Sequence, residues 1–90
     1  MALALISVKI AVNSCHCGID LTKLKLPDKC FVIGIARGNQ IILASENPSI
    51  WYEDYILAVT LNSALVPMLK NILNKTHPIH YFSQKYLIKK

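Results

Sequence analysis

The 90-residue sequence predicts an α+β domain, a small and mostly antiparallel sheet with a helix packed on it. Three observations point there. Ile6, Val8, Ile10 and Val12 alternate with Ser7, Lys9 and Ala11, the two-residue period of a strand with one buried face. The apolar run 31–36 is followed by the turn Arg37-Gly38-Asn39-Gln40 and a second apolar run, which reads as a hairpin. Beyond Asn62 or Ser63 the period becomes helical, with Leu65, Met68, Leu69, Ile72 and Leu73 on one side and Lys70, Asn71 and Asn74 on the other.

The elements follow in order. The first strand breaks at Asn13-Ser14, and Gly18 suits a chain reversal because it takes left-handed angles freely. Asp20 is a candidate N-cap for a short helix with Leu21 and Leu24 on one face. Pro27 ends that helix, since a proline pushes its predecessor out of helical angles. Residues 31–36 fit either a strand buried on both faces or a piece of buried helix; β-branched content and the following turn favour the strand. Residues 40–44 form the return strand, residues 45–49 with Asn47-Pro48 a loop, and residues 55–59 another strand. Pro67 must stand in the first turn of the long helix or kink it, and Thr76-His77-Pro78 ends it. The predicted order is strand, short helix, three strands, longer helix over residues 6–74, followed by a basic aromatic tail over 75–90.

Composition bounds the function. A chain of this length forms one domain with a core that is marginal alone. Yet 53% of its residues are apolar and 17% charged, too apolar for a disordered chain and rich for a lone small domain. The surplus implies an interface, and a homodimer is the expected form. The net charge of +5 comes entirely from the last third, where Lys70, Lys75, Lys85, Lys89 and Lys90 meet no acid. Such an end either attracts phosphates or an anionic membrane surface or simply keeps the chain soluble. Three cysteines and no basic-led signal segment point to a reducing, cytosolic setting. The apolar stretch 56–73 is too interrupted by Thr60, Asn62, Ser63, Pro67 and Lys70 to span a membrane.

Little in the chain suggests catalysis. Cys15-His16-Cys17 with Cys30 offers zinc-type donors, but the spacing does not fit the common ribbons and fingers, so no metal site is expected. No nucleophile elbow, P-loop or dinucleotide glycine fingerprint is present, and no enzyme activity is expected. Tyr81, Phe82, Lys85, Tyr86, Lys89 and Lys90 match a nucleic-acid footprint by composition, yet they sit in the tail rather than on the sheet. A nucleic-acid partner is therefore not expected. Trp51 and Tyr52 either anchor an interface, if exposed, or cap the edge of the core, if buried.

Three segments together resemble the C-terminal regulatory domain of potassium-conductance regulators, the RCK-C or TrkA-C family. Gly18-Ile19-Asp20-Leu21-Thr22-Lys23-Leu24-Lys25-Leu26-Pro27 is similar to the family's glycine, Leu-x-x-Leu and Pro segment. Phe31-Val32-Ile33-Gly34-Ile35-Ala36-Arg37-Gly38-Asn39-Gln40-Ile41-Ile42 is similar to its valine-x-x-isoleucine-x-arginine-glycine hairpin. Glu53-Asp54-Tyr55-Ile56-Leu57-Ala58-Val59 is similar to its Gly-Asp-x-Leu-x-Val strand. Glu53 replaces the usual Gly and Ala44 a frequent Pro, while Cys15-His16-Cys17 and residues 77–90 lie outside the pattern.

The resemblance implies a dimer on the cytoplasmic side of a potassium channel, a transporter or a related ion-transport protein, gated by a ligand at the dimer joint. In some members that ligand is cyclic di-AMP. It also implies no dinucleotide cofactor, because the Rossmann domain that usually precedes the family's domain is missing here. The residues expected to hold a ligand are Arg37, by forked pairing with a phosphate, Asn39, by its amide, and Ile33, Ile35 and Ile42 as an apolar floor under a base or across the joint. The competing role for Arg37 is a solvated turn residue. Two alternative functions stand beside this one, a pure assembly module without a ligand and a basic nucleic-acid-binding protein.

Overall fold

A computed structural model describes residues 3–76 as a four-stranded antiparallel sheet with one helix against it. The strands are β1 (Ala4–Lys9), β2 (Cys30–Arg37), β3 (Gln40–Leu43) and β4 (Tyr55–Thr60), and the helix α1 is Val66–Leu73. Single 3-10 turns occupy Leu21–Lys23, Ala44–Glu46 and Ser63–Leu65. The α+β class and the element order agree with the sequence reading. The basic aromatic tail lies, beyond Thr76, outside the described residues.

The strands lie in the order β1-β4-β2-β3, so β4, the last in sequence, is inserted beside β1. β1 and β4 pair without interruption from Ala4↔Thr60 to Lys9↔Tyr55. β2 and β4 pair from Cys30↔Thr60 to Ala36↔Tyr55, with a bulge between Val32 and Gly34. Alternation then sends Ile6, Val8, Ile56, Ala58, Thr60, Cys30 and Ile35 to one face, where all are buried. Ile10 continues that row, whereas Val12, assigned to it by the sequence pattern, is exposed because it lies in the turn closed by the Ser14 N–H donating to Ala11 O.

Leu69 and Leu73 of α1, Leu21 and Ile50 close the buried face into one core. Pro67 stands in the first turn of α1, where its missing N–H costs no bond. Asn62 caps the 3-10 turn that leads into it by accepting from the Ala64 N–H at 3.0 Å. The expected short helix after Asp20 is only a 3-10 turn, and Asp20 does not cap it: its carboxylate accepts from Ser49 Oγ at 3.1 Å instead. This contact belongs to a strap. Gly18 N–H donates to Ile50 O and Ile50 N–H to Ile19 O, so residues 18–21 run alongside 48–50. The strap carries Leu21 and Ile50 into the core.

The opposite sheet face is uncovered among the described residues. Phe31 and Ile33 are exposed, so β2 is not buried on both faces. A continuous apolar run specifies no covering layer; here only the core side has one.

Where β2 passes β3, Gly34 allows a close approach. A Cβ there would sit 2.3 Å from the Ile42 carbonyl oxygen. Gly34→Ala should therefore push the β3 backbone away and lower stability by about 2 kcal/mol, read as a lower urea midpoint. An unchanged midpoint would contradict the close β2–β3 contact.

Candidate functional site

At one end of the sheet three strands converge on an ion pair. Ala36↔Tyr55 is the last β2–β4 pair, so the next residues, Arg37 and Asp54, come to face each other on the covered side. Arg37 Nε donates to Asp54 Oδ1 at 2.9 Å and Nη2 to Asp54 Oδ2 at 2.8 Å, the bidentate fork that guanidinium and carboxylate geometry favour. Nη2 also donates to the Ser49 carbonyl at 2.8 Å, and the Trp51 N–H donates to Asp54 Oδ2 at 2.9 Å. β1 joins through the backbone, with the Ile10 N–H donating to Asp54 O and the Glu53 N–H to Ile10 O.

The pair is asymmetric. Asp54 is 3% exposed and Arg37 40% exposed along their side chains. Burial alone raises the Asp54 carboxyl; the Arg37 hydrogen bonds, the Trp51 N–H and the Arg37 charge outweigh it and hold the group below its ordinary range. Arg37 is held above its ordinary value by the Asp54 hydrogen bonds, against a smaller opposing effect of burial.

Beside this pair lies an open cleft lined by Lys9, Arg37, Gly38, Trp51, Tyr52, Glu53 and Tyr55. Trp51 and Tyr52 are half exposed, so they are not the buried cap of the core edge. The cleft thus presents aromatic faces, the ammonium of Lys9 and the outer edge of the Arg37 guanidinium, with the carboxylate residue Glu53 also in its lining. That combination can stack a planar group and meet an anion.

The residues singled out from sequence do not form one site. Arg37 lines the cleft, but its fork is taken by Asp54. Asn39 is exposed at the hairpin tip and outside the cleft lining. Ile35 is completely buried in the core between Ile56 and Ile42, so it floors no surface site as the structure stands. Ile42 is its half-buried neighbour on β3, and Ile33 stands exposed in the β2 bulge. The sequence reading gave Asp54 no place among the site residues. Among the described residues no group of three potential donors could hold a metal ion, Cys30 is buried, and His16 Nε2 lies 2.8 Å from the Ile72 carbonyl. No family model matches the chain, and no curated protein matches it.

The ion pair makes stability depend on acid pH. A carboxyl whose folded pKa is depressed stabilises the fold above its unfolded value, about 3.9, and the contribution fades as pH falls through the folded value. Asp54→Asn should therefore be less stable than wild type at neutral pH, with the gap narrowing in urea titrations as pH falls below the unfolded value of about 3.9. Arg37→Ala leaves Asp54 buried with the Trp51 N–H and should cost about 2 kcal/mol. Glu53 holds φ at +72°, a left-handed angle that costs an L-residue strain. Glu53→Gly should gain about 0.5–1 kcal/mol in the same titration, and a loss would show that the Glu53 side chain contributes more than its backbone angle costs.

Proposed function

We propose that this chain is the regulatory and dimerising domain of a potassium channel or transporter system, or of a related ion-transport protein, acting at the cytoplasmic face of the membrane. The observation that carries this reading is the Arg37–Asp54 fork. It joins the arginine of the hairpin segment to the aspartate of the acidic strand segment, two of the three stretches that resemble the TrkA-C pattern. A physical reason then exists for both residue types to recur in one pattern at this separation. Glu53 supports the same reading, since its left-handed backbone falls where that pattern carries glycine.

No helix among the described residues is long and apolar enough to cross a membrane, so a pore must belong to a partner or to another part of the protein. Regulation then works by linkage. A ligand that binds one arrangement of two copies better than another shifts the population between them, and the attached pore senses the shift. The ligand this reading points to is an anionic nucleotide of the cyclic di-AMP kind, with its base against Trp51 or Tyr52 and its phosphate beside Lys9 and the outer edge of Arg37.

One observation favours the second reading, assembly without a small ligand: the Arg37 fork already has a carboxylate in it. Calorimetric titration of the purified protein with cyclic di-AMP, with light scattering on the same sample, separates the two. The regulatory reading expects a dimer that binds with micromolar affinity, one ligand per dimer, and loses at least about tenfold in affinity in Trp51→Ala. A dimer that binds nothing leaves assembly as the function, and a monomer refutes both.

A further inference from the structure

We infer that the uncovered face of the sheet is the surface on which a second copy of this chain packs, face to face. The inference rests on the dimer reading above and adds where the two copies meet.

The strand pairing defines this face. β1 contributes Leu5, Ser7 and Lys9; β4 contributes Val59, Leu57 and Tyr55 opposite them. β2 contributes Phe31, Gly34 and Ala36, and β3 contributes Leu43 and Ile41 beside the last two. An antiparallel sheet with one wet face normally alternates apolar with polar residues. Here both faces are apolar, and Lys9 is the one charged strand residue on the open side, placed at its corner.

Exposure is concentrated in large side chains. Leu5 is 68% exposed, Ile41 59%, Phe31 53% and Leu43 49%. With Tyr55 and Ile33 these side chains offer roughly 600 Å² per copy, taking about half of each large side chain as exposed. Two copies would bury about 1,200 Å² together, the lower bound for a specific, stable interface.

The relief of the face fits a copy of itself. Val59, Leu57 and Tyr55 form one ridge, Leu43 and Ile41 another, and between them β2 presents the small residues Gly34 and Ala36. A two-fold axis running along the strands, midway between the β4 ridge and this trough, sets the ridge of each sheet into the trough of the other, the aligned packing of two sheets about 10 Å apart. The two lysines at position 9 then lie at the rim, where water solvates them. Residues 77–90 are a poorer occupant by charge, because Lys85, Lys89 and Lys90 would be brought toward Lys9 with no acid among them. The chain also leaves the described region at Thr76, bridged to Ser14 beyond the end of α1, the helix that covers the other face.

The test is sedimentation equilibrium of the full chain and of Leu5→Lys and Leu43→Lys, which lie on opposite edge strands and are exposed enough to leave the fold intact. Amide spectra check that each variant is folded. Met68→Lys, on the exposed side of α1, is the control. The expected result is a wild-type dimer in the micromolar range, weakened at least about tenfold by either sheet-face charge and unchanged by the control. A wild-type dimer that withstands both folded variants overturns the inference while leaving the dimer reading intact. A wild-type monomer overturns both, whether residues 77–90 or another protein then covers the face.

Discussion

The fold hangs on the fork between Arg37 and Asp54. The carboxylate lies almost wholly inside the protein, at the point where β2 ends, β4 begins and β1 passes on to Ile10. A buried carboxylate is tolerated only when its lone pairs are occupied, and here two guanidinium nitrogens and the Trp51 N–H occupy them. The same guanidinium reaches the Ser49 carbonyl, so one side chain ties a hairpin, a strand and the loop between the sheet's last two strands. That loop in turn carries Ile50 into the core and meets the 18–21 strap. The bent backbone at Glu53 follows from the same demand, because the chain must reverse tightly for Asp54 to face Arg37 and for the Glu53 N–H to reach Ile10.

Much of this fold was legible from residue pattern. The alternation of Ile6, Val8 and Ile10 assigned the core face of β1 correctly, because a period of two leaves one arrangement that buries all three. Pro67 had for steric reasons to stand in the first turn of the long helix or to kink it, and it stands in the first turn. The apolar run of β2 misled, since a string of apolar residues says what a strand would prefer to bury and not what is available to cover it. Phe31 and Ile33 ended up outside, and Ile35, grouped with Ile33 and Ile42 as an apolar floor, ended up in the core. Alternation alone would have separated Phe31 from Ile35 only with knowledge of the bulge at Ile33, which inverts the phase between them.

The site was legible in half. An arginine beside a glycine turn announces a forked donor but not its acceptor, and the acceptor here lies 17 residues away in sequence. The signal that finds it is register. Once residues 31–36 and 55–59 are taken as antiparallel neighbours, the residue after one strand must oppose the residue before the other, and those two residues carry opposite charge. Glu53 and Asp54, although adjacent, do different work: one supplies a backbone reversal, the other a buried charge.

The latch and the open face are adjacent, and this gives the dimer reading its mechanical content. Ala36 and Tyr55 pair on the open face, and the next residue of each strand toward the end of the sheet is Arg37 or Asp54 on the other. Strand geometry couples them, since rotating or lifting the end of β2 to move Arg37 carries Ala36 with it across one peptide unit. An anion that drew Arg37 partly away from Asp54 would therefore alter the corner of the surface on which, in the dimer proposed above, a second copy would rest. By linkage, the packing of that second copy would in turn change how readily Arg37 is drawn away. A sheet with a wet polar outer face would lack this connection. Here the surplus of apolar residues and the buried carboxylate meet at one end of one strand pair, and a signal carried between them needs no movement larger than the twist of that end.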